Sequence, residues 1–136
     1  DNANLNGADL EGVNLHFANL KGADLEESNL KGSDLTEIDL RRANVKKADL
    51  TGANLAGGNL TKAEMTRANL EDADLTNATF TEADLSDATL LGADLSGVDF
   101  TRTTLAGATL TGTQVEDVDL TDGQLSGVNV CDPEEE

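Results

Sequence analysis

The chain has 136 residues, 27 of them acidic and 9 basic, for a formal net charge of −18, and only 2% of it is aromatic. That length sets one domain, and so few large side chains exclude a broad globular core with an enclosed catalytic pocket. The charge opposes nucleic-acid binding, which needs basic groups against phosphate; the absence of any run of about 18 apolar residues opposes membrane insertion.

The first phrases are Ala3-Asn4-Leu5-Asn6-Gly7 and Ala8-Asp9-Leu10-Glu11-Gly12, and the pattern continues in chain order to Val130. Every fifth residue from Leu5 is apolar: Leu throughout, except Val45, Met65, Phe80, Phe100, Val115 and Val130. Two residues before each stands a small or β-branched residue, Ala in 15 of the 26 phrases, and between them lies Asn or Asp in 19.

A step of five fits neither regular element. On an α-helix it turns about 500°, so successive leucines would wind around the cylinder. On a straight strand an odd step throws each leucine onto the opposite face. The chain is therefore expected to bend once per phrase. Ala3 and Leu5 sit at strand spacing and point inward, and the two polar or glycine residues that follow suit a turn.

The number of sides per coil is legible in the charges, because residues stacked in adjacent coils, about 4.8 Å apart, should prefer opposite signs. At the two outward positions after each leucine, a lag of 20 gives seven opposite pairs against three alike, and a lag of 15 gives five against five. The seven are Glu11/Lys31, Glu26/Lys46, Glu27/Lys47, Lys62/Glu82, Arg67/Asp87, Glu82/Arg102 and Arg102/Asp122. The counts favour four sides per coil. At that spacing Leu60, Phe80, Phe100 and Leu120 form one interior column in which the two rings can stack.

The phrases ANLNG, ADLEG, ANLKG, ADLTG and ADLSG resemble the pentapeptide-repeat family over residues 3–132. The resemblance implies an all-β fold, a right-handed quadrilateral (four-sided) β-helix solenoid of about 6.5 coils of 20 residues. It places one domain over residues 1–132, followed by an acidic C-terminal tail at 133–136. It also implies a non-enzymatic structural or protein-interaction role. In the quinolone-resistance members that role is mimicry of DNA toward gyrase or topoisomerase IV, although this chain lacks their register-breaking loops and their apolar C-terminal element. The family's abundance in cyanobacteria and chloroplasts points as well to a thylakoid-lumen or periplasmic protein, beside a bacterial cytoplasmic one. Nothing in the repeat selects a compartment.

Each charge can be assigned to a side, named by its first leucine. The Leu5 side carries six acids and three bases, the Leu10 side six and one, the Leu15 side six and none, and the Leu20 side five and five. The Leu15 side, with Asp34, Glu37, Asp74, Asp94, Glu116 and Asp117, is the candidate interaction face, and Phe17, in place of a turn glycine, extends it. Its expected partner is an unidentified protein with a basic surface. Six and a half coils would span roughly 31 Å, over which duplex DNA carries about 18 phosphates, so the rod's linear charge density is DNA-like.

No cofactor, metal or catalytic residue is expected. His16, the only histidine, reads as an exposed turn residue without a Ser/His/Asp partner set. The many Asp and Asn residues serve local backbone hydrogen bonding rather than acid/base chemistry. Cys131 reads as a surface thiol, and a metal site from Cys131, Asp132 and the terminal glutamates lacks ligand geometry. Leu91 is a second outward apolar residue. The repeat begins almost at Asp1, so its first coil is expected to be covered by a preceding cap or leader, or by another copy of the chain in end-to-end self-association.

Overall fold

Among the described residues, every backbone bridge joins a residue to the one twenty positions later, in parallel, from Asn4 with Asp24 to Asp94 with Gln114. The computed structural model describes residues 1–120 together with Gln124, Gly127 and Val128. A constant offset of twenty over a five-residue repeat means four sides per coil, and the molecule is a four-sided β-helix.

The repeat folds this way because each of its five backbone N–H groups finds an acceptor. In the phrase 23–27, the Ala23 N–H closes a turn onto the Leu20 carbonyl at 2.9 Å. The Asp24 N–H donates back to Ala3 of the preceding coil at 2.8 Å, while those of Leu25 and Glu27 donate forward to Asn44 and Lys46 at 2.7 and 2.9 Å. The Glu26 N–H remains, and the Asp24 side chain accepts it at 3.1 Å. The same bond recurs from the Ala56 N–H to Asn54 and from the Ser96 N–H to Asp94, both at 3.0 Å. Asn or Asp is preferred in this slot because its short side chain satisfies the one donor that the coils leave over.

The turns need a left-handed residue at their third position, the signature of a type II turn. Glycine fills it in phrases such as 3–7, where Gly7 has φ 64°. Elsewhere Phe17, Glu37, Arg42 and ten others take the same conformation within the repeat.

The interior is a narrow, largely apolar column. Leucines 25 to 60 of the ladder, Met65, Phe80 and Phe100 are buried, together with the residues two places before them, among them Ala23, Ser28, Ser33, Ile38 and Val98. The two phenylalanine rings stack with centroids 5.6 Å apart and planes at 27°. Leu60 is buried in the same column, whereas Leu120 is only partly covered. Beside Ile38 the alanine row carries a glycine: a Cβ on Gly58 would meet the Leu55 carbonyl oxygen at 3.0 Å and the Ile38 Cγ2 at 3.4 Å.

Both ends of the ladder are less covered. Leu5, Leu10, Leu15 and Leu20 are only partly buried, and the N–H groups of Asn4, Asp9, Asn14 and Asn19 have no backbone acceptor among the described residues, because they would donate to a coil before the first. At the other end Val115, expected inside with the rest of the ladder, is 52% exposed. Among the described residues the bridges stop at Gln114, one residue before it. Gln124, in the slot that Asn or Asp occupies in earlier coils, is helical, and its side-chain amide donates to the carbonyls of Phe100 and Thr103. Cys131, Asp132 and the acidic tail at 133–136 lie outside the described residues.

Candidate functional site: an acidic face

The Leu15 side gathers five of its six carboxylates in two parallel files, Glu116 standing between them. In the first, Asn14, Asp34, Asn54, Asp74, Asp94 and Gln114 are linked in sequence by bridges, so these side chains rise one above another. Each aspartate is fixed by the residue two places on. Asp34 accepts the Thr36 N–H at 3.1 Å and its hydroxyl at 2.7 Å, Asp74 accepts Thr76 at 3.0 and 2.8 Å, and Asp94 accepts Ser96 at 3.0 and 2.7 Å.

These bonds hold charge as well as shape. The Thr36 hydroxyl, then its N–H, keep Asp34 below the usual carboxylate range, against a smaller opposing effect of desolvation, and His16 adds a weak pull. The Ser96 hydroxyl and then its N–H do the same for Asp94. Both are carboxylates at neutral pH.

The second file is the left-handed turn position, with Phe17, Glu37 and Asp117 at φ 58°, 55° and 57°. The Glu37 carboxylate leans over Gly57 of the next coil, 2.5 Å from the point where a Cβ would stand there. Glu116 and Asp117 are exposed at the far end. The predicted residues thus share a side without forming a pocket: from Phe17 to Asp117 is five coils, about 24 Å at 4.8 Å per coil.

Phe17 is 69% exposed, and its ring lies against that of His16 with centroids 3.9 Å apart. The His16 Nδ1 meets the Thr36 hydroxyl, whose own hydrogen goes to Asp34. That order is the reverse of a nucleophilic triad, in which the hydroxyl donates to the imidazole. Leu91 is exposed on the Leu10 side at 37%.

What separates the Leu15 side from the others is the distribution of ion pairs. Lys31 pairs with Asp49 on the Leu10 side, Lys46 with Glu64 and Lys47 with Glu27 on the Leu5 side, and Arg41 with Asp39, Lys62 with Glu82 and Arg102 with Glu82 on the Leu20 side. Among the described residues, none lies on the Leu15 side. Of the seven opposite-charge contacts expected from the lag of 20, Arg102 with Asp122 lies outside the described residues, and three of the other six form: Glu27 with Lys47, Lys62 with Glu82 and Glu82 with Arg102. Lys31 and Lys46 turn instead to the Asn/Asp slot of the next coil, a position left out when only the two outward residues after each leucine are compared.

A four-sided solenoid with a solid core and differently charged sides defines a repeat protein whose surface, rather than an internal cavity, is available for recognition. The chain belongs to the pentapeptide repeat family, whose model matches in eight copies spread over residues 1–32, 18–57, 33–72, 63–102, 83–122 and 99–132. It has that family's right-handed quadrilateral β-helix.

Among solved structures, HetL, a pentapeptide repeat protein involved in heterocyst differentiation regulation from the cyanobacterium Nostoc sp. strain PCC 7120, is 34% identical over 96% of this chain, with a TM-score of 0.69. The chain spans 62% of the HetL chain's length. Rfr23, a pentapeptide repeat protein from the cyanobacterium Cyanothece 51142, is 25% identical over 94% of this chain and 91% of its own, with a TM-score of 0.53. QnrB1, a plasmid-mediated fluoroquinolone resistance protein, in a trypsin-treated form, shares the fold at 19% identity and a TM-score of 0.62, over 96% of this chain and 87% of its own. No curated protein matches the chain in sequence.

Proposed function

We propose that the protein is a non-enzymatic interaction rod that presents the Leu15 side to a protein with a basic surface. The observation that carries this reading is the absence of any ion pair on that side among the described residues, while every other side neutralises some of its acids. Uncompensated carboxylates in a fixed row are a template for cationic groups at matching intervals, and such complementarity governs association rate and specificity. Membership of a family of generally structural or interaction modules supports it.

The test is a titration with an oligolysine peptide at low and at moderate salt. The variant Asp74→Asn/Asp94→Asn/Glu116→Gln/Asp117→Asn is expected to lose most of the binding. A control with Glu26, Glu27, Asp84 and Asp87 of the Leu5 side changed to their amides carries the same change in net charge and is expected to retain it. Equal loss in both variants would reduce the effect to overall charge.

A second reading, a DNA mimic that modulates gyrase or topoisomerase, is favoured by the acid density: 27 acids against 9 bases on a narrow rod. A gyrase supercoiling assay separates the two. Inhibition or protection that weakens with salt and vanishes in the Leu15-side variant supports mimicry, and no effect at high protein excess removes it for the gyrase tested.

A further inference from the structure

Four of the nine bases, Lys21, Arg41, Arg42 and Lys62, line one cleft of about 250 Å³ on the Leu20 side. They come from three successive coils, and the twenty-residue register stacks Lys21 against Arg41 and Arg42 against Lys62. Like charges placed opposite one another are destabilising, yet here two such pairs adjoin in a chain of net charge −18.

Neighbouring acids answer only half of this. Asp39 accepts two hydrogen bonds from the Arg41 guanidinium, at 2.9 and 2.6 Å, and Glu82 receives Lys62 at 3.4 Å while also holding Arg102. Lys21 and Arg42 have no ion pair among the described residues. Both also line an adjoining cleft of about 340 Å³ with Asp1, Asn2 and Gly22.

We propose that this cleft binds a compact phosphate-bearing polyanion of pyrophosphate size. The planar fork of Arg42 suits two phosphate oxygens at once, and Lys21 supplies a point charge beside it. The ligand is small because a duplex would press its other phosphates onto the acid rows of adjacent sides. Those rows do not abolish local attraction, since exposed charges beyond a Debye length of about 8 Å at physiological salt are largely screened.

The experiment is calorimetric titration of sodium pyrophosphate into the whole chain, at an ionic strength held constant with chloride, alongside thermal unfolding with the same anion. Saturable binding and a raised Tm are expected. Lys21→Gln/Arg42→Gln should weaken binding by about tenfold or more. The control Lys47→Gln/Arg67→Gln, which removes the other stacked bases from the Leu5 side, should leave it unchanged. Adenosine diphosphate binding as tightly as pyrophosphate would place the ligand among nucleotides, and weaker binding among free polyphosphates. Failure to saturate, or equal weakening in both variants with their folds intact by circular dichroism, would overturn the proposal.

Discussion

Asp74 and Asp94 pair directly in the parallel ladder of the Leu15 side, two carboxylates on adjacent coils with no base on that side to separate them. Asn at this slot keeps the acceptor for the following N–H, as Asn54 does for Ala56. Asp74→Asn is therefore expected to raise stability slightly at low salt, with the gain fading as salt screens the repulsion. Thermal unfolding across a salt series measures it, and a loss of stability that is independent of salt would contradict the like-charge account.

The stacked rings of Phe80 and Phe100 replace leucines at the centre of the column. Phe80→Ala should cost about 3–5 kcal/mol, because the rigid coils above and below cannot collapse into the space. Phe80→Leu, which restores the residue found at most ladder positions, should cost under about 1.5 kcal/mol. Denaturant unfolding of both variants distinguishes a packed column from a tolerant one.

Ile38 and Gly58 test complementarity along the alanine row. Ile38→Ala opens a cavity beside a residue with no side chain, an expected loss of about 2–5 kcal/mol. Adding Gly58→Ala should recover part of that loss, because the Ile38 Cγ2 at 3.4 Å from the added Cβ would be gone and only the Leu55 carbonyl oxygen, at 3.0 Å, would have to give by a few tenths of an ångström. A double-mutant cycle with no coupling energy would show that the two positions do not share a volume.

Six aspartates, Asp34, Asp39, Asp49, Asp84, Asp94 and Asp99, are held below the ordinary value of 3.8. For Asp34, Asp94 and Asp99 the main cause is the hydroxyl two residues on, and for Asp39 it is the Arg41 guanidinium. For Asp49 and Asp84 desolvation is the largest single effect and opposes the shift; the bonds from Thr51 together with Lys31, and from Ser86 together with Thr66 and the pull of Lys46, outweigh it. A depressed folded pKa stabilises the fold above the unfolded value, and that contribution is lost as pH falls through the folded one. The Tm is expected to fall below about pH 4, and replacing the six by Asn should flatten that fall. An equally steep decline in the Asn variant would place the acid sensitivity elsewhere.

Much of the fold was legible because a period of five admits one solution: a bend per phrase, with two residues inward. The pairing of Phe80 with Phe100 needed in addition the opposite charges at a lag of 20, which favoured four sides, and the Asn/Asp slot the local backbone hydrogen bonding of the repeat. Less legible was what depends on side-chain reach. Lys31 and Lys46 span two fewer residues than the coil period to find Asp49 and Glu64. The basic cleft was hidden because five acids and five bases sum to a neutral side, although Lys21, Arg41, Arg42 and Lys62 cluster within it. Its signal was present in the like-charged pairs at the coil period. The exposure of Val115 had no signal in the ladder, since the residue type continues where the bridges stop.

The most direct measurement of the interaction face is amide chemical-shift mapping of the labelled chain during titration with oligolysine. The account predicts perturbations concentrated at Thr36, Thr76, Ser96 and Glu116, with the Leu5-side amides of Lys46, Thr66 and Ser86 little changed. Perturbations spread evenly over the four sides would contradict it, leaving the acidity as a property of the whole rod.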